Sequence, residues 1–182
     1  MTDAFQARLP PMRILIALAP LAFLAACASL SETECRSGDW FEIGREDGAK
    51  GRSSEFILQH AKACNEFGIA PDRARWREGR QLELKAYCTP RKAYDLGARG
   101  RSFANVCPAA DQASLQRVNA RGRTWHRIGL EIAQTRNEIV AINSELASLP
   151  LDDPSRAGLV SQRSFLRLDI LTLRARRAQY RF

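Results

Sequence analysis

Asp47 and His60 are the side chains of this sequence best suited to move a proton near neutral pH. A general base must be poised in that range, and a carboxylate can orient an imidazole for the task. With Glu46 beside them, they would suit a hydrolase. The nucleophile is missing, because no Gly-x-Ser-x-Gly turn occurs. His60 and Cys64 stand one helical turn apart, an acceptable spacing for metal ligands. The cysteines are dispersed, however, with no Cys-x-x-Cys pair, and zinc would need their thiols reduced. The expectation is no catalytic residue, no metal and no cofactor, with the Asp47/His60 hydrolase as the alternative.

A second stretch invites a chemical reading. Residues 39–51, DWFEIGREDGAKG, place Gly44, Gly48 and Gly51 behind Trp40 and Phe41. A dinucleotide loop needs G-x-G-x-x-G after a strand, and a P-loop ends in Gly-Lys-Ser/Thr; neither pattern is present. Spaced four and three apart, these glycines instead form a flat stripe on a helix, at about 1 kcal/mol of helix propensity each. Such a stripe lets another element come close. The same theme recurs at Tyr94, Gly97, Gly100 and Phe103, and in Trp76-x-x-Gly79. These are read as packing units, an aromatic laid against glycine backbone, with Asp47 capping or ion-pairing locally.

The elements that hold these residues are helices. Residues 54–67 read as a helix capped by Ser53 or Ser54 and ended by Gly68. Ile57, Ala61 and Cys64 share its inner face. Residues 71–87 follow, opened by Pro71 and Asp72, with Trp76, Gly79, Leu82 and Ala86 inward. Thr89-Pro90 opens a shorter helix that stops near Gly97 or Gly100. From Asp111 to Leu149 there is neither proline nor cysteine. Trp125, Ile132, Ile139 and Leu146 recur at sevens, with Ile128, Thr135, Ile142 and Leu149 between them, a heptad seam. His126, beside Trp125, is expected to face water. Pro150 breaks the helix, and Asp153 and Pro154 open another. That last helix carries Leu159, Leu166, Ile170, Leu173 and Tyr180 on one side. The fold class is mostly α: a small disulfide-braced region of short helices, then a long antiparallel helical hairpin.

The cysteines and the N-terminus speak to location. Arg8 and Arg13 precede an apolar run of eleven residues, Ile14–Leu24, too short to span a bilayer comfortably. Leu24-Ala25-Ala26-Cys27 then resembles the bacterial lipobox, at which a leader is cut and the cysteine acylated. The resemblance implies that Cys27 is the lipidated first residue of the mature chain. With at least two acyl chains, anchoring would be stable. Ala28, in place of aspartate, implies the outer membrane. Cys35, Cys64, Cys88 and Cys107 remain, an even number that reads as two disulfides. A helix over 71–87 is about 25 Å long. If 54–67 and 71–87 fold back on each other, Cys64 and Cys88 lie too far apart to bond. Cys35–Cys64 with Cys88–Cys107 is favoured, and Cys35–Cys88 with Cys64–Cys107 is the alternative. The expected organisation is a leader over 1–26, a tether over 27–34, the disulfide region over 35–109 and the hairpin over 110–182.

The formal net charge is +8, and removing residues 1–26 leaves +7. For an exported chain that excess argues against nucleic acid and towards phosphorylated lipids or other envelope polyanions. Arg163, Arg167, Arg174, Arg176, Arg177 and Arg181 crowd the last helix. The expected partners are a membrane, through the lipid anchor, and an anionic envelope component or a protein, through the hairpin.

The ordered motifs carry a further resemblance. DWFEIGREDGAKG, then HAKACNEFGIAPDRARWREGRQLELKAYC, then GARGRSFANVCP resemble the bacterial lipoproteins grouped as domain of unknown function 2799. Matching positions include Trp40, Gly44, Asp47, Gly48, Gly51, His60, Cys64, Trp76, Gly79, Tyr87, Cys88, Gly97, Gly100 and Cys107. Where the family often has Gly-Leu before Tyr-Cys, this chain has Glu83-Leu84. The resemblance implies a location and a set of motifs but no activity. The functional expectation is an anchored, non-enzymatic binding or structural module, with a coiled-coil partner module as a further alternative.

Overall fold

The computed structural model describes residues 29–182; the expected leader and Cys27 lie outside the described residues. The described helices are α1 (Glu32–Ser37), α2 (Trp40–Lys50), α3 (Ile57–Asn65), α4 (Arg73–Tyr87), α5 (Pro90–Ala98), α6 (Ala109–Ser148) and α7 (Ser155–Ala178). A 3-10 turn at Ser54–Phe56 precedes α3, and no strand occurs among the described residues. They fall into two compact units, one with 29–39 and 55–73, the other with 40–54 and 74–182. The second unit runs across position 109/110. Residues 74–109 belong with the hairpin because α5 packs along α6.

In the first unit, the segment expected to be a tether is partly helical. Ser31 and Glu34 form a reciprocal capping box at the start of α1, and Gly38 ends it with φ +65°. Leu30, before the cap, and Cys35, four residues after it, are both buried, the positions of a hydrophobic staple. Cys35 bonds to Cys64 of α3, with Cα atoms 5.5 Å apart. Ser54, one of the two serines expected to cap α3, stands in the 3-10 turn ahead of it. The helix grows out of that turn, with Phe56 at the cap position. Gly68, at φ +70°, closes its far end.

The second unit is built on two helix crossings of one design. In the first, an added Cβ on Gly44 would collide with the carbonyl of Trp76, and one on Gly79 with the carbonyl of Phe41. In the second, Gly97 faces the carbonyl of Asn119 and Gly122 that of Tyr94. Each helix thus offers a carbonyl at one position and a glycine three residues on, and the partner answers in kind. Backbones so close can make reciprocal Cα–H···O contacts, worth about 0.5–1 kcal/mol each. Glycine is required because any side chain would occupy the partner's carbonyl.

These crossings turn the inner face of α4. Trp76, Gly79, Arg80 and Tyr87 are buried, while Leu82 is 48% exposed and Ala86 exposed, contrary to the expected face. Facing α2 with Gly79 brings position 80 inward and turns 82 out. Pro71 lies ahead of α4 and not in its first turn.

Beyond α4, Thr89 caps α5 by accepting from the Lys92 amide, with Pro90 at its start. Cys88 bonds to Cys107 across 19 residues. Around that bridge lies a core of Tyr87, Ala93, Leu96, Phe103 and Leu115. The Tyr87 and Phe103 rings stack at 4.8 Å. The first part of α6 serves α5. From Trp125 onwards its heptad seam meets α7, where Ile128, Ile132 and Ile170 are buried with Ile139, Leu173 and Tyr180 against them. The hairpin is antiparallel. Arg156 donates to the carbonyls of Leu146 and Leu149 at one end, and Arg121 to those of Gln179 and Arg181 at the other.

Candidate functional site

Asp47 is 4% exposed, and its Oδ2 accepts from the indole Nε1 of Trp76 at 2.9 Å. The carboxylate is carried on the glycine face of α2 and meets the helix that face admits. Beside it, Arg80 is also buried; its Nε donates to the Arg52 carbonyl and its guanidinium lies 5.7 Å from the Trp76 ring. Farther out, Arg45 donates to Glu83 through Nε and Nη2 and to Glu42 through Nη1. Glu83 first, then Glu42, hold the Arg45 guanidinium charged and push its pKa above the ordinary value.

His60 belongs to the first unit. It is 2% exposed, its Nδ1 is 3.0 Å from the Ser29 hydroxyl, and Phe56 meets its ring edge-on at 5.0 Å. Cys64 on the same helix is in its disulfide. No group of three or more potential metal ligands occurs among the described residues.

The glycine–aromatic positions divide into two kinds. Gly44, Gly48, Gly79 and Gly97 meet helix backbone. At Gly51, with φ +70°, the ring of Tyr87 lies against the glycine, and its hydroxyl accepts from the Ala104 amide. Gly100, with φ +76°, makes room for the ring of His126, whose Nδ1 is 3.1 Å from the Ala98 carbonyl. His126 is thus half-buried and engaged, not turned to water. Tyr94 is buried, its hydroxyl donating to the Tyr180 carbonyl. Trp40 is buried at the start of α2.

The sequence reading missed a second candidate, at the α6–α7 seam. Trp125 and Ile132 floor a surface pocket of about 390 Å³, with Arg136, Arg174, Arg177 and Arg181 at its sides. The Arg177 guanidinium lies 3.6 Å from the Trp125 ring centroid, and its Nε donates to the Trp125 carbonyl. Gly129 leaves the space it occupies; a Cβ there would meet the guanidinium. The signal was present as Trp125-x-x-x-Gly129 opposite an arginine-rich helix, but pairing it with Arg177 requires the hairpin register.

Residues 39–124 match the family model described as Protein of unknown function (DUF2799). That stretch of the chain belongs to this family. The DUF2799 region holds both glycine crossings, the Asp47–Trp76 pair and the Cys88–Cys107 bridge. Cys35 lies ahead of it, and the hairpin seam from Trp125 onwards lies beyond it. No curated protein and no solved structure matches the chain.

Proposed function

We propose that this chain is an exported, lipid-anchored, non-enzymatic module of the cell envelope, held on the outer membrane through Cys27, whose hairpin binds an anionic envelope component. The observation that carries the reading is the charge of α7 and the residues after it. From Ser155 to Phe182 there are seven arginines and one acidic side chain, Asp169. Among the described residues no arginine of this segment has a carboxylate partner within ion-pair distance. An uncompensated cationic helix attracts phosphates and carboxylates, more strongly at low salt. Support for export comes from the lipobox-like leader and from two disulfides, which persist in oxidising compartments. The non-enzymatic reading is supported by the contacts of Asp47 and His60, which suit packing.

Two measurements test it. Intact mass of the chain purified from its native membrane should show residues 1–26 removed and Cys27 acylated; a free thiol with the leader attached would sink the anchor. The unacylated chain from residue 28 should bind vesicles containing phosphatidylglycerol at low salt and release them at high salt, leaving pure phosphatidylcholine vesicles unbound. Equal binding to both would remove the anionic partner.

A further inference from the structure

We propose that the pocket floored by Trp125 and Ile132 is a discrete binding site for a phosphate group, with Arg177 as its fixed donor and Arg174, Arg181 and Arg136 completing it. The inference deepens the reading of the hairpin as an anion-binding surface and rests on it.

Arg177 is held in place by three features. Its Nε is committed to the Trp125 carbonyl, its guanidinium carbon sits 3.6 Å from the centroid of the Trp125 ring, and Gly129 leaves space for it. A guanidinium so placed has lost its rotamer freedom before any ligand arrives, which removes an ordering cost from binding. Stacking on the most electron-rich ring adds attraction without consuming donors. Among the described residues neither Nη1 nor Nη2 has a hydrogen-bond partner, so both remain to donate. That paired fork matches two oxygens of one phosphate.

The neighbours fit the same chemistry. Among the described residues Arg136, Arg174 and Arg181 have no carboxylate partner, and no acidic side chain lines the pocket. Four like charges around one small space repel each other, and an anion relieves that repulsion. A carboxylate would use only one fork, whereas phosphate presents oxygens in several directions. Trp125 and Ile132 give the floor an apolar part, which suits a phosphate joined to a hydrocarbon or sugar segment. The same chemistry belongs to a lipid headgroup and to a soluble phosphate ester.

The test uses the chain from residue 28 and two probes: inorganic pyrophosphate, followed by calorimetry, and phosphatidylglycerol vesicles, followed by co-sedimentation. Pyrophosphate should bind saturably at one site per chain. Arg174→Gln, which removes an exposed side chain and leaves the fold intact, should weaken it at least about tenfold, and Arg177→Gln by more. Arg167→Gln removes the same charge from α7 outside the pocket and should change affinity less than about twofold. Circular dichroism and melting temperature confirm that each variant folds. Absence of saturable binding, or equal weakening by Arg167→Gln and Arg174→Gln, overturns the site. In that case vesicle binding that persists leaves the broader reading standing. Pyrophosphate binding without vesicle binding upholds the site and assigns it to a soluble phosphate; loss of vesicle binding in Arg174→Gln and Arg177→Gln alone assigns it to the headgroup.

Discussion

At the residue scale, buried polar groups decide how far the chemistry of Asp47 is free to differ from packing. Its carboxylate accepts from Trp76, which is 2% exposed. Removing a donor from a buried acceptor costs about 1–3 kcal/mol, and shrinking a buried ring adds a cavity. Trp76→Phe is therefore expected to lose about 3 kcal/mol or more in urea unfolding, and Asp47→Asn less, since an amide oxygen still accepts. Equal losses would count against the hydrogen bond. Asp153 offers a second case, at the start of α7. The Ser155 hydroxyl, then its amide, hold the Asp153 carboxyl below its ordinary pKa of 3.8. A lowered folded pKa means that the contribution is complete above the ordinary value and fades as pH falls through the folded one. The Ser155 amide resonance should thus titrate with a midpoint under 3.8; a midpoint at or above it would remove the cap.

At the scale of elements, the two reciprocal crossings explain both what was legible and what was not. The spacing of Gly44, Gly48 and Gly79 marks them as places of close approach, and the structure puts backbone there. The partner of each was not legible. It depends on a carbonyl three residues ahead of the opposing glycine, and a carbonyl carries no sequence identity. For that reason Gly122, inside a heptad-rich helix, went unnoticed. The α1 cap could have been found, because Ser31-Glu32-Thr33-Glu34 is a capping box in plain sequence. The heptad seam was legible because Ile128, Ile132, Ile142 and Leu146 are buried where the period places them. A direct test of the crossings sets propensity against packing. Alanine favours a helix over glycine by about 1 kcal/mol. At Gly158 of α7 nothing lies within 4 Å of an added Cβ, so Gly158→Ala should be neutral or stabilise by up to about 1 kcal/mol. At Gly97 the Cβ meets the Asn119 backbone. Overpacking costs about 1–3 kcal/mol and exceeds the propensity gain, so Gly97→Ala should destabilise. Like-signed effects in urea unfolding would reject the close approach.

At the scale of the whole molecule, the two units depend on their disulfides to different degrees. The first has about thirty described residues, and chains below about 40 residues usually need a crosslink to fold. Its buried apolar side chains are few, with Leu30, Cys35, Ile57 and Cys64 among them. Cys35–Cys64 spans 29 residues, a loop for which chain entropy alone gives about 3–4 kcal/mol. That is enough to decide whether so small a unit stays folded. Cys88–Cys107 contributes on the same scale, but the second unit around it also has the Tyr87–Phe103–Leu115 core and the α6–α7 seam. Reduction should therefore act unevenly. Hydrogen exchange read by mass spectrometry in dithiothreitol should show α1 and α3 losing protection first, while α6 between Ile128 and Leu146 keeps it. Far-ultraviolet circular dichroism should fall by only the share of α1 and α3, because most helical residues lie in the second unit. Serine at Cys35 should reproduce the effect without reductant, and serine at Cys88 should leave α1 and α3 protected. Simultaneous loss in both units would mean that they unfold as one cooperative body. Retained protection in α1 and α3 would mean that the bridge is dispensable, and with it one physical reason for such a chain to mature in an oxidising compartment.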